Sequence, residues 1–290
     1  MSEGAVVQRT RLPATLETLK ADLSTLGARP DVVLLVHSSL RALGWICGGA
    51  VAVIQATQET IDSNGTLVML SCTGGADRSQ KLGASFGSRA LERHYSHGET
   101  GVCPLRTPTR QMGQIDETFR TWPNVVRSTH PHCSFAAWGA HAAEVVEGHE
   151  LENGLGEGSP LARIYELDDW VLLLGLEFAS NSSLHLAEYR ASHPGKAYET
   201  NGAPMLVDGE RRCISIRDLV VDVDDFPRIG RQFKDETETV RTGKVGQGAA
   251  LLMPQRPLVD YAVAWMETHR IADSGCEDSP KRQGGLFDGS

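Results

Sequence analysis

The first part of the chain carries hydrophobic residues at the spacing of an amphipathic helix. Between Pro13 and Leu26, leucines occupy positions 16, 19, 23 and 26, which share one helical face, and Gly27 follows as a C-terminal stop. The run VVLLV from Val32 to Val36 is typical of a strand buried on both faces. The chain is therefore predicted to open with a helix that leads into a core strand.

Helices and strands alternate in the segments that follow. AVAVIQATQETI (50–61) predicts a helix, Asn64-Gly65 predicts a turn, and TLVMLS (66–71) predicts a second buried strand. A strand, helix and strand in this order favour parallel neighbours joined by a crossover helix. Further predicted elements are a helix over 112–121, strands at 135–138 and 171–176, a helix over 182–193 that begins near a serine cap, a hairpin turning at Asp208-Gly209 and a final helix over 257–269.

The region from about residue 74 to residue 109 lacks this periodicity. Glycine, serine, threonine and arginine dominate it, which predicts a long irregular insertion and suggests a substrate lid. With no internal repeat and no linker, we expect a single domain over residues 10–272 and a poorly ordered tail over 273–290. The predicted fold class is α/β, with a mixed, largely parallel central sheet flanked by helices.

Charge narrows the range of partners. The 290 residues include 28 Lys+Arg against 37 Asp+Glu, a formal net charge of −9. Nucleic-acid binding requires clustered basic residues, so we expect no nucleic-acid partner. The acidic balance is compatible with a cationic substrate, but a solvated acidic surface explains it equally simply.

The sequence also predicts a compartment. Residues 1–20 lack the apolar core of a signal peptide, and runs such as VLLLGL (171–176) are far shorter than a membrane span. The six cysteines contain no C-x-x-C pair and are expected to be reduced thiols. We therefore expect a soluble cytoplasmic protein with no membrane partner, acting as a monomer or a homodimer.

The strongest local candidate for chemistry is His185 with Glu188. On the predicted helix these residues are three apart and share a face, so the carboxylate can fix the tautomer of the imidazole, as a general base requires. The pattern H-x-x-E is short and common, and a surface pair on an amphipathic helix is the alternative explanation.

A second candidate follows the first predicted strand. His37, Ser38 and Ser39 stand at its C-terminal end, where α/β sheets usually bind ligands. Gly48-Gly49 then permits close backbone approach at the start of a helix, where free N–H groups favour phosphate. The loop is neither a Walker loop nor G-x-G-x-x-G, and a tight structural loop explains it equally well.

A metal site is not expected. His94 with His97, and His130 with His132 and Cys133, lie close together in the sequence, but neither group supplies a complete zinc ligand set.

Taken together, several ordered blocks resemble the aminoglycoside 3-N-acetyltransferase family, over residues 15–269. The blocks are VHSSLRALGWICGGA, GTLVMLS, RTPTRQMGQIDETFRTWPNVVRSTHPHCSFAAWG, LGEGSPLARI, VLLLGLEFASNSSLHLAEYRA, DDFPRIG and KVGQGAALL.

The resemblance implies an enzyme that transfers the acetyl group of acetyl-CoA to the 3-amino group of a 2-deoxystreptamine ring. The family's histidine motif falls on H-L-A-E, so His185 is implied as general base and Glu188 as its partner or as a substrate-binding carboxylate. The amine would attack the thioester directly, with donors near Ser38 and Ser39 stabilising the oxyanion.

The resemblance also implies binding residues. The acceptor side would contain Asp77, in a segment (SCTGGADRSQ) that departs from the family pattern, together with Glu188 and either Asp224 or Asp225. The coenzyme side would comprise His37, Ser38, Ser39, Leu40, Gly48, Gly49, Arg106, Thr107, Ser128, His130 and Ser134.

Two other functions remain open at this point. The acceptor could be a different small amine with the same acyl-CoA chemistry, because the departure around Asp77 concerns the substrate rather than the reaction. A binding protein that keeps the fold without catalysis is the further alternative.

Overall fold

A seven-stranded sheet forms the centre of the protein within the part of the chain that the structure, a computed structural model, describes: residues 3–10, 12–73, 101–104 and 106–270. The strands are β1 (Val33–Ser38), β2 (Thr66–Leu70), β3 (Val126–Arg127), β4 (Phe135–Gly139), β5 (Trp170–Leu174), β6 (Tyr198–Val207), β7 (Glu210–Leu219), β8 (Arg241–Val245) and β9 (Gly248–Pro254).

The helices are α1 (Glu3–Arg9), α2 (Leu16–Leu26), α3 (Gly49–Ile61), α4 (Gln114–Phe119), α5 (Ala142–Val146), α6 (Pro160–Glu166), α7 (Ser183–Arg190), α8 (Phe226–Thr237) and α9 (Gln255–His269). A 3₁₀ turn over Phe178–Ser180 precedes α7. Among these described helices, none has the length and apolar character needed to cross a bilayer.

The sheet has the order β3-β4-β2-β1-β5-β9-β8. Its three central strands, β2, β1 and β5, are parallel, and β4 and β9 run antiparallel to them on either side. The edge strands β3 and β8 pair antiparallel with β4 and β9 and so return to the central direction. The predicted mixed α/β sheet is therefore confirmed, as is the parallel β1–α3–β2 unit.

Alternate residues of the central strands enter two separate hydrophobic cores. Val33 and Leu35 of β1 pack into one core with residues of α5 to α9, whereas Leu34 and Val36 pack into the other with residues of α2, α3 and α4. Helices thus cover both faces of the sheet. Burial on both faces explains why β1 is a continuous apolar run rather than an alternating one.

The predicted hairpin is confirmed as a separate two-stranded sheet of β6 and β7. Its turn residues Asp208 and Gly209 have φ values of 52° and 79°, the conformation that a two-residue turn between twisted strands requires. Val102 also forms an isolated bridge with Met205 of this hairpin.

The start of α7 differs from its prediction. Ser182 has helical angles and forms no side-chain cap; instead, Asn181 Oδ1 accepts the amide of Ser183 at 3.1 Å. Most of the predicted irregular insertion, with Asp77, His94 and His97, lies outside the described residues, as do the predicted tail and Cys276.

Gly230 lets α8 pack closely on the 3₁₀ turn before α7. A Cβ at this position would overlap the ring of Phe178, which is 2% exposed. Any side chain larger than hydrogen must therefore displace a buried aromatic ring.

We expect Gly230→Ala to lower the free energy of unfolding by about 1–2 kcal/mol. Alanine usually favours a helix by about 1 kcal/mol over glycine, but overpacking a core costs about 1–3 kcal/mol and is expected to prevail here. Urea unfolding measures the change. Gly202→Ala is the control, because its Cβ would meet only Cys213 Sγ at 3.6 Å; equal or greater stability of Gly230→Ala would contradict the packing argument.

Candidate functional site

The ends of β1 and β5 bring the candidate residues together. The two strands are parallel and in register, with His37 opposite Leu173 and Ser38 opposite Leu174. After β5 the chain passes through the 3₁₀ turn and enters α7, and the Ser182 amide donates to Nε2 of His37 at 3.4 Å. Carboxyl ends of parallel strands are the usual ligand-binding edge of an α/β sheet.

His185 and Glu188 form a buried pair on α7. Nδ1 of His185 lies 2.7 Å from Oε2 of Glu188, and the two side chains are 5% and 1% exposed. An ionised carboxylate can only accept a hydrogen bond, so Nδ1 carries the proton and Nε2 of the neutral ring is left as the basic nitrogen. The surface-pair alternative is wrong for these two residues.

His141 and Glu144 provide an internal comparison. This pair on the edge of α5 has the same spacing and the same 2.7 Å separation between Nδ1 and Oε2, yet its side chains are 46% and 59% exposed. The short pattern therefore gives the same contact twice in the described chain, whereas at its third occurrence, His149 with Glu152, the imidazole contacts Ser128 and the Gly154 carbonyl. Burial distinguishes the two pairs.

Glu188 is held in its ionised form by its neighbours. Burial alone opposes ionisation, but the hydrogen bond and charge of His185, the Asp222 amide and the Arg270 guanidinium together lower the pKa of Glu188. Oε1 accepts from the Asp222 amide at 2.8 Å and from Arg270 Nη1 at 2.9 Å. Both carboxylate oxygens are thus occupied within the protein, which favours Glu188 as the partner of His185 over a direct substrate contact.

His37 is neutral and supports the start of α7. Burial, followed by the nearby charge of His185, lowers the pKa of His37 from its usual 6.5 to about 3. Because Nε2 accepts the Ser182 amide, Nδ1 carries the single proton of the ring. The structure therefore places His37 against His185 and Ser182, with one ring nitrogen already engaged.

The loop after β1 provides both free and occupied polar groups. Ser38 Oγ is buried and has no hydrogen-bond partner within the described ranges, whereas the Ser39 amide donates to Leu174 O at 2.9 Å. Leu40 is half-buried against the core under α3. An unpartnered buried hydroxyl is costly unless a ligand or water satisfies it, so Ser38 is the polar group at this edge that most needs a partner.

The glycine pair forms the start of α3. Gly48 is the N-cap, with a φ of 90°, and Gly49 follows with a φ of 54°. A Cβ at Gly49 would meet no atom within 4 Å, so the backbone is open on that side. The Gly49 amide itself donates to Ile46 O at 3.0 Å, so the amides that follow it are the ones left to receive a ligand at the N-terminus of this 13-residue helix.

Three of the predicted coenzyme-binding side chains, those of Ser128, His130 and Ser134, have hydrogen-bond partners within the protein. The Ser128 hydroxyl contacts His149 Nδ1 and the Phe135 amide, both at 2.9 Å. The ring of His130 is fully buried: Nδ1 accepts the amides of residues 132 and 133, and Nε2 lies 3.0 Å from Leu151 O. Ser134 Oγ donates to Ser71 O at 2.7 Å. These hydrogen bonds hold the three side chains in place, and their contact with the coenzyme stays a prediction.

Arg106 and Thr107 lie on the segment that leads to α4. Arg106 is exposed, while the Thr107 hydroxyl accepts the Cys103 amide at 2.9 Å and the Thr107 carbonyl accepts from Arg127. Only the Arg106 side chain of this pair is thus presented to solvent.

The acidic segment before α8 distinguishes the two candidate aspartates. Both carboxylate oxygens of Asp225 accept from Arg270, at 2.7 Å each, whereas Asp224 is exposed and its amide donates to Asp222 Oδ1. Arg270 was not identified from the sequence. It follows the last predicted helix in no recognisable motif, and only the folded arrangement brings it to Glu188.

Cys72 and Cys133 are buried and free of disulfides. Contact with Cys72 and burial raise the pKa of the Cys133 thiol well above its usual value, so this group is a thiol rather than a nucleophilic thiolate. Within the described ranges, no three histidine, cysteine or acidic side chains are placed to hold a metal ion.

Comparison with known sequences identifies relatives along most of the chain. A model of the aminoglycoside 3-N-acetyltransferase family matches residues 35–267. The SPbeta prophage-derived aminoglycoside N(3')-acetyltransferase-like protein YokD of Bacillus subtilis (strain 168) is 38% identical over 261 residues, which are 90% of this chain and 95% of that protein. Aminoglycoside N(3)-acetyltransferase VII of Streptomyces paromomycinus is 32% identical over 282 residues, 92% of this chain and 96% of that protein.

Solved structures show the same fold. The crystal structure of the YokD protein from Bacillus subtilis has a TM-score of 0.87 at 37% identity, covering 92% of this chain and 98% of that one. AAC-IIIb in binary complex with CoASH has a TM-score of 0.81 at 27% identity, covering 91% and 100%. AAC-VIa bound to sisomicin has a TM-score of 0.80 at 27% identity, covering 89% and 99%.

Because His37 is buried in its neutral form, we expect the folded protein to lose stability at acidic pH. Its pKa is about 3 in the folded protein against 6.5 usually, so the unfolded chain binds more protons between these values and stability falls as pH decreases through this window. Protonation of this group alone is expected to make the free energy of unfolding about 2 kcal/mol lower at pH 5 than at pH 7. In His37→Gln, whose amide oxygen can still accept the Ser182 N–H, that part of the loss should disappear.

Urea unfolding at pH 7 and pH 5 measures the difference for each variant. His141→Gln is the matched control, because His141 is exposed. The same pH dependence in His37→Gln as in the unaltered protein would show that His37 is not neutral in the fold.

Proposed function

Because the chain belongs to the aminoglycoside 3-N-acetyltransferase family and is therefore an acetyltransferase, we propose that it transfers the acetyl group of acetyl-CoA to the 3-amino group of an aminoglycoside. The observation that carries this proposal is the buried His185–Glu188 pair beside the carboxyl ends of β1 and β5. Both residues lie inside the matched region. The cellular consequence would be antibiotic resistance.

His185 acts as the general base. A protonated amine has no lone pair, so it must lose a proton before or during attack on a thioester carbonyl. Nε2 of His185 takes that proton while Glu188 stabilises the resulting imidazolium through Nδ1. The amine nitrogen forms the new C–N bond, the C–S bond breaks, and the thiolate of coenzyme A leaves.

Ser38 is the best candidate for stabilising the oxyanion. The Ser39 amide already donates to Leu174 O, whereas the Ser38 hydroxyl is buried without a partner among the described residues. A donor with no competing partner can turn toward the tetrahedral oxygen without breaking an existing bond. This assigns Ser38, rather than Ser39, to the role.

The coenzyme is bound along the loop that joins β1 to α3. The acetyl group reaches the amine as a thioester of coenzyme A, and one solved relative, AAC-IIIb, is described in binary complex with CoASH. Here the open backbone at Gly49 and the N-terminal amides of α3 would receive the pyrophosphate, and exposed Arg106 would add positive charge.

Asp224 is the carboxylate available to a cationic acceptor. AAC-VIa is described as bound to sisomicin. In this chain Asp225 is already paired with Arg270, so an ammonium group would have to compete with a guanidinium for it. Exposed Asp224 has no guanidinium or ammonium partner among the described residues.

The pairing of Arg270 with Glu188 and Asp225 favours a second candidate function, in which the acceptor is a different small amine. Arg270 cancels charge on Glu188 and Asp225, which reduces the attraction of this region for a polycation. The reaction and the role of His185 would remain the same. A panel of amine acceptors assayed by release of coenzyme A thiol distinguishes the two candidates.

We expect His185→Ala to lower turnover by roughly 10²–10⁴-fold, because the base for the amine proton is lost. The affinity for coenzyme A should change little, since the histidine faces the amine rather than the coenzyme. Thiol release with a gentamicin-type acceptor gives turnover, and calorimetry gives the coenzyme affinity.

His141→Ala is the control, because it removes the exposed histidine of the same H-x-x-E pattern. A matching loss of coenzyme affinity in His185→Ala would make His185 a structural residue. Unaltered protein that binds coenzyme and acetylates no amine would support the non-catalytic alternative.

We expect Asp224→Asn to raise KM for an aminoglycoside by about 2- to 5-fold with kcat unchanged, because an exposed ion pair contributes about 0.2–1 kcal/mol. The effect should shrink as salt concentration rises. Steady-state kinetics at low and high salt measure it. Asp208→Asn, at the exposed hairpin turn, is the control for net charge; an equal effect there would remove Asp224 from the acceptor site.

A further inference from the structure

Arg270 is bound on three sides at the end of α9. Its Nη1 donates to Glu188 Oε1 at 2.9 Å, its Nε and Nη2 donate to the two carboxylate oxygens of Asp225 at 2.7 Å each, and Nη2 also donates to Asp222 O at 2.7 Å. The side chain is 13% exposed. Such a bidentate, charge-assisted arrangement fixes the plane of the guanidinium.

Arg270 lies just beyond the part of the chain that the family model matches. The match to the family ends at residue 267, three residues before Arg270. The contacts of Arg270 nevertheless reach Glu188, which lies well inside the match. A side chain from the end of the chain's last described helix thus completes the surroundings of a central site residue.

Glu188 needs this cation because it is almost completely buried. An ionised carboxylate in such a position is strongly unfavourable unless opposite charge and hydrogen bonds compensate it. His185 is neutral when it serves as a base and then supplies only a hydrogen bond. The permanent positive charge next to Glu188 therefore has to come from elsewhere, and Arg270 is in direct contact with it.

The other charged or titratable groups around the pair are less suited to that task. Lys196 directs Nζ to the carbonyls of Tyr189 and Ala191, at 2.5 and 3.1 Å, and burial lowers the pKa of His193. The groups that face the pair from the surrounding elements are His37 from β1, His193 and Lys196 after α7, Asp222 and Asp225 before α8, and Arg270 after α9.

We propose that Arg270 is a positioning residue for acetyl transfer, which holds Glu188 ionised and oriented so that Oε2 receives Nδ1–H of His185. The proposal rests on the proposed function in that His185 is taken as the base. In the described structure Arg270 contacts Glu188 and not the imidazole, so it acts through the carboxylate. Asp225 in turn fixes the direction of the guanidinium through two parallel hydrogen bonds.

The experiment compares Arg270→Gln and Arg270→Lys with Arg256→Gln in the full-length chain. Arg256 is the matched control because it also lies on α9 and donates to backbone carbonyls of residues 165 and 166, away from Glu188. Four quantities are measured: kcat and KM with acetyl-CoA and gentamicin, the Nδ1–H proton resonance of His185 in ¹⁵N-histidine-labelled protein, and the thermal unfolding midpoint. The resonance is assigned by its absence in His185→Gln.

For Arg270→Gln we expect kcat to fall about 10- to 100-fold, because a small misplacement of a catalytic group costs up to about 10²-fold. KM for both substrates should stay within about 2-fold of its value in the unaltered protein, because the lost interaction matters in the transition state rather than in substrate binding. The Nδ1–H resonance should shift or disappear with the loss of a fixed acceptor. Arg270→Lys should lie between Arg270→Gln and the unaltered protein in kcat and resonance, and Arg256→Gln should match the unaltered protein in both.

An unchanged resonance or an unchanged kcat in folded Arg270→Gln would overturn the proposal. If Arg270→Gln does not fold, Arg270→Lys decides: a lower unfolding midpoint with unchanged kcat and resonance would show a purely structural role. If the unaltered protein acetylates no acceptor, the proposed function fails, and the resonance alone then decides whether Arg270 orients the pair.

Discussion

The negative charge of Glu188, buried at the centre of the site, is the constraint on which the surrounding structure depends. A carboxylate with 1% exposure has to be met by donors on every side, and here each donor comes from a different part of the chain. His185 lies one turn earlier on α7, the Asp222 amide belongs to the segment before α8, and Arg270 follows α9. Compensating one charge therefore fixes the relative positions of three helices.

The sheet places this network where a reaction can occur. β1 and β5 are parallel neighbours, so His37 and Ser38 at the end of one strand lie beside the chain that leaves the other strand for α7. His37 is kept neutral by burial, which avoids a second positive charge next to the base. The edge thus offers a basic nitrogen, an unpartnered hydroxyl and an open helix N-terminus, which together suit acyl transfer to an amine.

The sequence predicted several elements that carry strong periodicity, but β8, β9 and α8 were missed for different reasons. β1 and β2 are apolar runs, and the helices over residues 16–26 and 49–61 carry clear stops or faces, so their types were evident. β8 is almost entirely exposed and polar, which explains why it was not predicted. β9 was also not predicted, although its apolar run from Ala249 to Met253 is at least as long as that of β2 and it pairs with β5. α8 was missed although the sequence contains a signal for it: Phe226, Ile229 and Phe233 have the spacing of one face of a helix.

The candidate site, like the fold, could be predicted from the sequence only in part. His185 and Glu188 could be named from spacing and family resemblance, but the identical spacing of His141 and Glu144 shows that only burial distinguishes a candidate site from a surface pair. The pairing of Asp225 with Arg270, and the internal partners of Ser128, His130 and Ser134, depend on contacts between distant segments. No pattern along one chain encodes those contacts.

The late position of Arg270 in the chain has a consequence for biosynthesis. When the ribosome has completed α7, the strand β9 that pairs with β5 and the arginine that neutralises Glu188 are still absent, since Arg270 is 82 positions after Glu188. At about 5–20 residues per second, the nascent chain carries an exposed strand edge and an uncompensated acid for several seconds. The buried network around Glu188 can therefore assemble only after the chain has been synthesised as far as Arg270.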